Sequence, residues 1–363
     1  YLKTKYGREL RNLLATRYDV DIIIDFFELP VFEASTDACI TKIIATKGEI
    51  ETKYFPVKTL DNLNLFELIS GNFQKVVKDE TEWKFMDSNQ ESILEKFYAN
   101  TINLEKFTNN QIYRGITTAF NRAFILEDDI AEKLLNSESK SLVKPYAQSK
   151  DIKQWHLENT NKYFLATGYS IDVKKEFPTA YNYLHQFEQE LKQRQDKGIN
   201  WWNLRACKYY NNFEKPKIIY MHTAKKHEFY FDTEGRYINN SCYMIISDSQ
   251  FLFCFLNSKL FEWFKKIKFV AYGDAEESGR AKLDYNKMIT VPIKNVSKSI
   301  EKTFTNLVQN IKTNKSEGKN TIALEQQIDN LIYCLYELSY DEVKEIDPDF
   351  PLTKEEYERI VIE

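Results

Sequence analysis

The hydrophobic and polar positions of the first 55 residues predict a helix followed by two strands. Leucines recur at helical spacing in residues 7–18, residues 20–27 (VDIIIDFF) are a dense apolar run of strand length, and residues 38–45 are rich in β-branched side chains. A helix leading into a buried strand is typical of an α/β sheet. We therefore predict that residues 1–55 form the last strands of a doubly wound sheet, whose earlier part would precede Tyr1.

The remaining pattern divides the chain into three further parts. Residues 56–110 are expected to be a mostly helical connector. Residues 111–296 alternate short strand-like runs with turns and contain two long helical segments, which predicts an α+β module with a hairpin turn at residues 232–235. Residues 297–363 contain two amphipathic helices, predicted to pack as an antiparallel pair, and an acidic tail.

Composition narrows the class of protein. The chain has 363 residues, of which 43% are hydrophobic, and no apolar run reaches the roughly 18 residues of a membrane span. Its five cysteines are scattered without a C-x-x-C pair, so we expect neither a zinc site nor disulfides, and a reducing, cytoplasmic setting. No membrane partner and no metal are expected.

Charge is distributed unevenly. The net charge is -4, but residues 111–300 carry 29 basic and 22 acidic side chains, whereas residues 1–110 carry 14 and 18 and residues 301–363 carry 7 and 14. The middle of the chain is therefore basic (29 minus 22), although the whole chain is acidic. Such a segment can bind a polyanion.

Residues 112–124, IYRGITTAFNRAF, are the strongest candidate for phosphate contacts. Arg114 and Arg122 offer planar forks of donors, Thr117 and Asn121 add uncharged hydrogen-bonding groups, and Gly115 allows close backbone approach. The alternative is an ordinary surface turn that leads into a strand.

Two later segments combine cations with aromatic or flexible residues. Residues 201–217, WWNLRACKYYNNFEKPK, interleave Trp202 with Arg205, Lys208 and Lys217, as expected of a surface that stacks on bases and neutralises phosphate. The alternative is that its aromatic residues are core and rim. In residues 273–292, Arg280 and Lys282 stand between a glycine-flanked acidic loop and a strand, where they could point into a groove.

Catalytic signals are weak. The chain has no glycine-rich phosphate loop, no H-E-x-x-H and no G-x-S-x-G. Glu214 and Lys217 have a nuclease-like spacing, but no metal-binding aspartate precedes them in a suitable strand and turn. We therefore expect no catalytic residues in this chain.

The order of these segments resembles a known family. YRGITTAFNRAF, SLVKPYAQSKDIKQW, FPTAYNYLHQFEQELKQR, WWNLR, FEKPKIIY, FLNSKL and GRAKLDYNKMITVPI are similar to the TaqI-like specificity domain of type IIG restriction-modification enzymes and of related adenine methyltransferases of phage defence. The resemblance covers about residues 110–295, and ALEQQIDNLIYCLYELSYDEVKEI is similar to the closing helix of those enzymes. It implies contacts with double-stranded DNA and adds Lys144 to the candidate contacts.

The resemblance also extends to the start of the chain. Residues 22–44 look like the region after the catalytic motif of gamma-class N6-adenine DNA methyltransferases, which would place Phe32 where an aromatic ring stacks on a flipped-out adenine. Phe32 as ordinary core, with Phe26 or Phe27 in its place, is the alternative.

The chain departs from the family in lacking N-P-P-Y and a glycine-rich S-adenosylmethionine loop. The resemblance thus implies that the parent protein uses S-adenosylmethionine, and Mg²⁺ if it carries an endonuclease domain, while this part binds DNA and holds neither. We predict a DNA-recognition portion, inactive alone. The alternative is a protein-interaction module that uses the helical pair of residues 297–340. The oligomeric state and the recognised DNA sequence are not predicted.

Overall fold

The computed structural model divides the chain into two compact units. It describes residues 1–2, 5–27, 29–33, 37–45, 48, 50–78, 83–86, 88–158, 161–226, 228–269 and 281–362. Of the described residues, the first unit comprises those within 1–99 and 338–351, and the second comprises those within 100–269, 281–337 and 352–362.

The first unit is built on a five-stranded mixed sheet. Its strands, in spatial order, are Cys39–Ile44, Asp19–Asp25, Lys53–Pro56, Gln74–Lys78 and Trp83–Met86. Asp19–Asp25 pairs in parallel with Lys53–Pro56, and the other neighbouring pairs are antiparallel. The helices are Arg8–Arg17, Leu65–Ser70, Ser88–Tyr98 and Tyr340–Ile346, with a 3₁₀ turn at Lys5–Gly7.

The predicted helix and both predicted strands of residues 1–55 are present, but the connector differs from expectation. Residues 56–110 were expected to be mostly helical, whereas two of their strands, Gln74–Lys78 and Trp83–Met86, extend the sheet. Val76 and Trp83 are buried in the same core as Val20 and Ile23. These side chains alternate along short strands, and the burial they gain in the sheet outweighs the helical character of the surrounding sequence.

Two four-stranded sheets form the centre of the second unit. One orders Phe229–Asp232, Lys217–Met221, Cys242–Ile246 and Ile112–Arg114, all antiparallel. The other orders Tyr237–Ile238, Val143–Ala147, Tyr163–Leu165 and Ile125–Leu126. Shorter pairs are Ile152–Lys153 with His156–Leu157, Thr223–Ala224 with Ala281–Lys282, and Pro292–Lys294 with Thr101–Asn103.

Helices surround these sheets. They are Leu104–Phe107, Asn121–Phe124, Asp128–Leu135, Val173–Glu176, Pro178–His185, Glu188–Gln193, Gln250–Leu256, Lys259–Lys268, Tyr285–Met288, Lys298–Ser316, Ile322–Leu335 and Lys354–Glu358, with 3₁₀ turns at Glu138–Leu142, Ser149–Asp151 and Tyr210–Glu214. The predicted amphipathic pair is Lys298–Ser316 and Ile322–Leu335. The long segment after residue 250 is split by Ser258, whose hydroxyl caps the second helix by accepting from the Phe261 amide at 3.2 Å.

A close backbone contact joins the two sheets. The Gly115 amide donates to the Cys242 carbonyl at 2.9 Å, and the Ile116 amide donates to the Ile238 carbonyl at 2.8 Å. A Cβ atom added to Gly115 would lie 2.0 Å from the Asn239 carbonyl oxygen. Glycine is therefore required here because two backbone segments pack against each other.

The predicted hairpin at residues 232–235 is a turn but not a hairpin. Gly235 has a φ of +71°, and the Arg236 amide donates to the Asp232 carboxylate at 2.9 Å, as in a tight turn. The strand that follows, Tyr237–Ile238, leaves its predicted partner and pairs in parallel with Val143–Ala147. The turn therefore carries the chain from one sheet to the other.

The fold class predicted from the sequence, mixed α/β and α+β, is confirmed. Of the helices in the described ranges, none combines the length and the apolar character that a bilayer crossing requires.

We predict that Gly115→Ala destabilises the second unit, because the new methyl group forces the strand away from Asn239. The expected loss of unfolding free energy is about 1–3 kcal/mol or more, measured by urea denaturation. Gly71→Ala is a suitable control, since its Cβ would meet the nearest atom at an ordinary 3.4 Å. Equal and small effects of both substitutions would contradict this account of the junction.

Candidate nucleic-acid interface

Residues 112–124 form a strand, a sharp turn and a short helix in the second unit. After the strand Ile112–Arg114, the Thr118 hydroxyl donates to the Asn121 Oδ1 atom at 2.5 Å and accepts from the Phe120 amide at 3.2 Å. Ala119 has a φ of +54° in this turn. The Asn121 Oδ1 atom is thus engaged within the turn. Arg114, Asn121 and Arg122 are exposed, and Thr117 is half-buried.

Arg114, Lys282 and Lys287 are three cationic side chains that act on the His222 imidazole, and we call these four residues the Arg114 patch. Burial and the neighbouring Arg114 guanidinium lower the pKa of His222, and Lys282 and Lys287 act in the same direction, while Asp284 opposes them. The strand pair joins Lys282 to Thr223, next to His222. The structure thus brings together two predicted contacts, Arg114 and Lys282, that are far apart in sequence.

Hydrogen bonds to both its side chain and its backbone hold Arg114 in place. Its Nε donates to the Asn240 carbonyl at 2.7 Å, and the Tyr209 hydroxyl donates to the Arg114 carbonyl at 3.0 Å. The Tyr113 and Tyr209 rings stack with their centroids 4.6 Å apart. These contacts restrict the arginine, so less side-chain freedom would be lost when it meets a phosphate.

Arg122, Arg205 and Lys208 are also exposed. The Arg122 guanidinium lies 5.8 Å from the centre of the Phe187 ring, and Arg205 lies 3.5 Å from the exposed Asp196. An exposed ion pair of this kind contributes little stability. Arg205 can therefore exchange Asp196 for a phosphate at small cost.

Lys144 is less available. Its side chain is 27% exposed, and its ammonium group lies 2.7 Å from Glu214. Contact with DNA would require the lysine to leave this carboxylate, so its role as a contact stays a prediction.

Lys217 was expected at the DNA surface, and the structure contradicts this. Its side chain is 0% exposed, and its ammonium group donates to the Asp232 carboxylate and the Phe213 carbonyl. Burial lowers the pKa of Lys217, and Asp232 opposes the shift. Arg236 also lies beside Asp232, at 3.6 Å. Lys217 and Asp232 are cross-strand partners at the ends of two apolar strands, a pairing that the sequence alone does not reveal.

Trp202 is likewise a core residue and not an exposed stacking platform. It is 8% exposed, and its indole nitrogen donates to the Ile171 carbonyl at 3.2 Å. Its neighbour Trp201 is only partly buried and contacts Tyr181. The alternative of a core aromatic residue therefore holds for Trp202.

Phe32 lies in the first unit and is 63% exposed, whereas Phe26 is 6% and Phe27 38% exposed. The start of its loop is fixed by Asp25, whose carboxylate accepts from the Phe27 amide at 3.0 Å and from the Tyr54 hydroxyl at 2.7 Å. Phe32 is therefore accessible for stacking, and that role stays a prediction. Arg280 lies outside the described residues.

Sequence reasoning missed Lys287 and the cationic surroundings of His222. Both depend on the pairing of residues 223–224 with residues 281–282, which no local pattern indicates. In the described part of the chain, no three His, Cys, Asp or Glu side chains are grouped as a metal site would need.

We predict that Lys217→Met lowers stability without removing a DNA contact. Asp232 would be left as a buried charge near Arg236 alone, at an expected cost of about 3–5 kcal/mol, measured by chemical denaturation. Lys208→Gln, at an exposed position, should cost almost nothing. A Lys217→Met protein that is fully stable would contradict the buried ion pair.

The chain is similar to several known proteins. Residues 144–293 match the TaqI-like C-terminal specificity domain. The chain is 27% identical over 233 residues to the type II methyltransferase M.MjaIV of Methanocaldococcus jannaschii, covering 60% of this chain and 76% of that protein. It is 20% identical over 392 aligned positions to the type II methyltransferase M.BanIII of Aneurinibacillus aneurinilyticus, covering 91% of this chain and 65% of that protein.

A solved structure shares the fold. The type IIL restriction-modification enzyme MmeI, determined in complex with DNA, superposes with a TM-score of 0.53 at 12% identity, over 99% of this chain and 48% of that one. The chain thus spans about half the length of MmeI and about two thirds of M.BanIII. Its residues 144–293 match the TaqI-like C-terminal specificity domain, and the chain is similar to two type II methyltransferases and shares its fold with a restriction-modification enzyme.

Proposed function

We propose that this chain binds double-stranded DNA in a sequence-dependent manner, as the recognition portion of a site-specific adenine-N6 DNA methyltransferase of restriction-modification or phage defence. The observation that carries the proposal is the Arg114 patch, where Arg114 from one segment and Lys282 and Lys287 from another act on one partly exposed imidazole. Cations gathered from distant segments onto one face are the electrostatic footprint of a polyanion site.

The exposed residues divide by chemistry into two groups. The exposed Lys208 and Lys282, together with the half-buried Lys287, suit phosphate contacts, which fix the position of a protein on DNA without reading sequence. Asn121 and each of the arginines can form two hydrogen bonds to the edge of one base in the major groove. We propose that Arg114, Asn121, Arg122 and Arg205 supply the sequence preference.

The class of the similar proteins supports this proposal. M.MjaIV and M.BanIII are type II methyltransferases, and MmeI was determined in complex with DNA. The matched specificity domain covers Lys144, Arg205, Lys208 and Lys282. Residues 112–124 lie just before the matched segment and are joined to it by the Gly115 contact.

Methyl transfer is proposed for the whole protein and not for this chain alone. S-adenosylmethionine needs a glycine-rich turn, and the described glycines of the first unit, Gly7, Gly48 and Gly71, are isolated from one another. The residues present therefore do not fit the cofactor, and N-P-P-Y is absent from the sequence. We propose that Phe32 stacks on the flipped adenine and that other parts of the protein hold the methyl donor, and Mg²⁺ where an endonuclease domain is present.

The helical pair does not favour the alternative of a protein-interaction module. Its apolar residues Phe304, Leu307, Val308, Ile311, Ile328 and Ile332 are buried. Phe304 lies 5.4 Å from Phe251 between ring centroids. The apolar face is thus occupied within the second unit.

We predict that the chain binds duplex DNA with an affinity that falls steeply as salt rises, because bound cations release counterions from phosphate. Arg114→Gln and Lys282→Gln should each weaken binding and reduce the slope of log affinity against log salt by about 1. Fluorescence anisotropy with short duplexes of randomised sequence measures both. Lys354→Gln, in the acidic tail, is the matched control. Binding that ignores salt, or equal effects of all three substitutions, would count against the proposal.

We further predict that the isolated chain transfers no methyl group from labelled S-adenosylmethionine to duplex DNA. The reason is that it lacks both the N-P-P-Y motif and the cofactor turn. Transfer by the purified chain above the level of a protein-free blank would overturn this division of labour.

A further inference from the structure

We infer that Arg194, buried beneath the proposed interface, is a positioning residue that holds two DNA-contacting segments in one arrangement. The inference rests on the proposed function. Arg194 is only 5% exposed. Its guanidinium group donates hydrogen bonds to backbone carbonyl oxygens of both segments.

The contacts of Arg194 link two segments that are far apart in the sequence. Its Nη1 donates to the Thr118 carbonyl at 2.8 Å, and its Nη2 donates to the carbonyls of Trp201 and Asn203 at 2.7 and 2.9 Å. The guanidinium also lies 4.7 Å from the centre of the Phe124 ring. One side chain thus touches the turn that carries Asn121 and Arg122 and the loop that leads to Arg205.

The chemistry explains why an arginine occupies this place. Three carbonyl oxygens that face one point repel each other, and a planar group with several donors in fixed directions can satisfy all three. Burial lowers the pKa of Arg194 to about 10, which leaves it charged at neutral pH. Arg194 directly follows the helix Glu188–Gln193, whose carbonyl end a cation also stabilises.

The two segments differ in their other supports. The loop of residues 201–204 is also bound to residues 167–171, since the Asn203 side-chain Nδ2 donates to the Ile171 carbonyl at 2.9 Å and the Leu204 backbone amide donates to the Gly168 carbonyl at 2.8 Å. The Thr118 carbonyl meets this loop through Arg194. Without the guanidinium, we expect the turn to move relative to the loop, which changes the spacing of Asn121 and Arg122 from Arg205.

The first arm of the test needs no DNA. Hydrogen exchange of the full chain is compared for wild type, Arg194→Met and Arg194→Lys. Arg194→Met should accelerate exchange in residues 117–124, with a smaller effect in residues 201–204. Glu301→Gln is the control, because Glu301 accepts hydrogen bonds at the start of the helix Gln250–Leu256, elsewhere in the same unit. Unchanged exchange in Arg194→Met would overturn the inference.

The second arm measures sequence preference. Duplexes with a randomised centre are incubated with each protein, and the bound fraction is sequenced. Arg194→Met should reduce the enrichment of preferred sequences by roughly tenfold or more, comparable to losing the discrimination at one base pair. The salt dependence should change little, because the exposed cations are intact, and a merely destabilised protein would not separate these two readouts.

Arg194→Lys covers the case in which Arg194→Met does not fold. It keeps the charge but not the planar donors, so overall binding should persist while the preference weakens. Wild-type preference and wild-type exchange in Arg194→Lys would overturn the inference. If the wild-type chain binds no duplex at all, the proposed function fails, and the exchange arm still decides whether Arg194 ties the two segments.

Discussion

The backbone contact between Gly115 and Asn239 is the constraint on which the candidate DNA surface depends. At this point the strand Ile112–Arg114 of one sheet meets the chain just after Tyr237–Ile238 of the other. The contact fixes where residues 116–122 leave the sheets, and with them the exposed Asn121 and Arg122. A side chain at position 115 would separate the sheets. The other features of the site therefore depend on glycine at this position.

Elements with a strong local pattern were predictable from the sequence. The helix Arg8–Arg17, the strand Asp19–Asp25 and the helical pair Lys298–Ser316 and Ile322–Leu335 all follow hydrophobic periodicity, which a single sequence contains. Local propensity also located the turn after Asp232. These features depend on neighbours in the chain, and so a pattern can reveal them.

The wrong predictions share one cause: each depends on which segment, distant in the sequence, a strand pairs with. Tyr237–Ile238 follows a tight turn but pairs with Val143–Ala147, and residues 74–86 join a sheet instead of a helical connector. Lys217 looked like a DNA contact because its residue type and its neighbours fitted one. Its burial follows from the cross-strand position of Asp232, which only the sheet register determines.

Buried and exposed cations have different roles in this domain. Lys217, Arg236 and Arg194 hold turns and loops from inside, where a charge must be paired or satisfied by carbonyl groups. The exposed cations at the surface are Arg114, Arg122, Arg205 and Lys282. The cations of the basic segment are therefore divided between buried and exposed positions, and the net charge alone does not show how many are exposed.

Hydrogen exchange of the full chain with and without short duplex DNA at low salt tests the central claim most directly, because it reports which surface the DNA covers. The account predicts slower exchange in residues 115–122 and 203–209, and unchanged exchange in the helices Lys298–Ser316 and Ile322–Leu335. Slower exchange confined to those helices, or no change anywhere under conditions where DNA is bound, would contradict it.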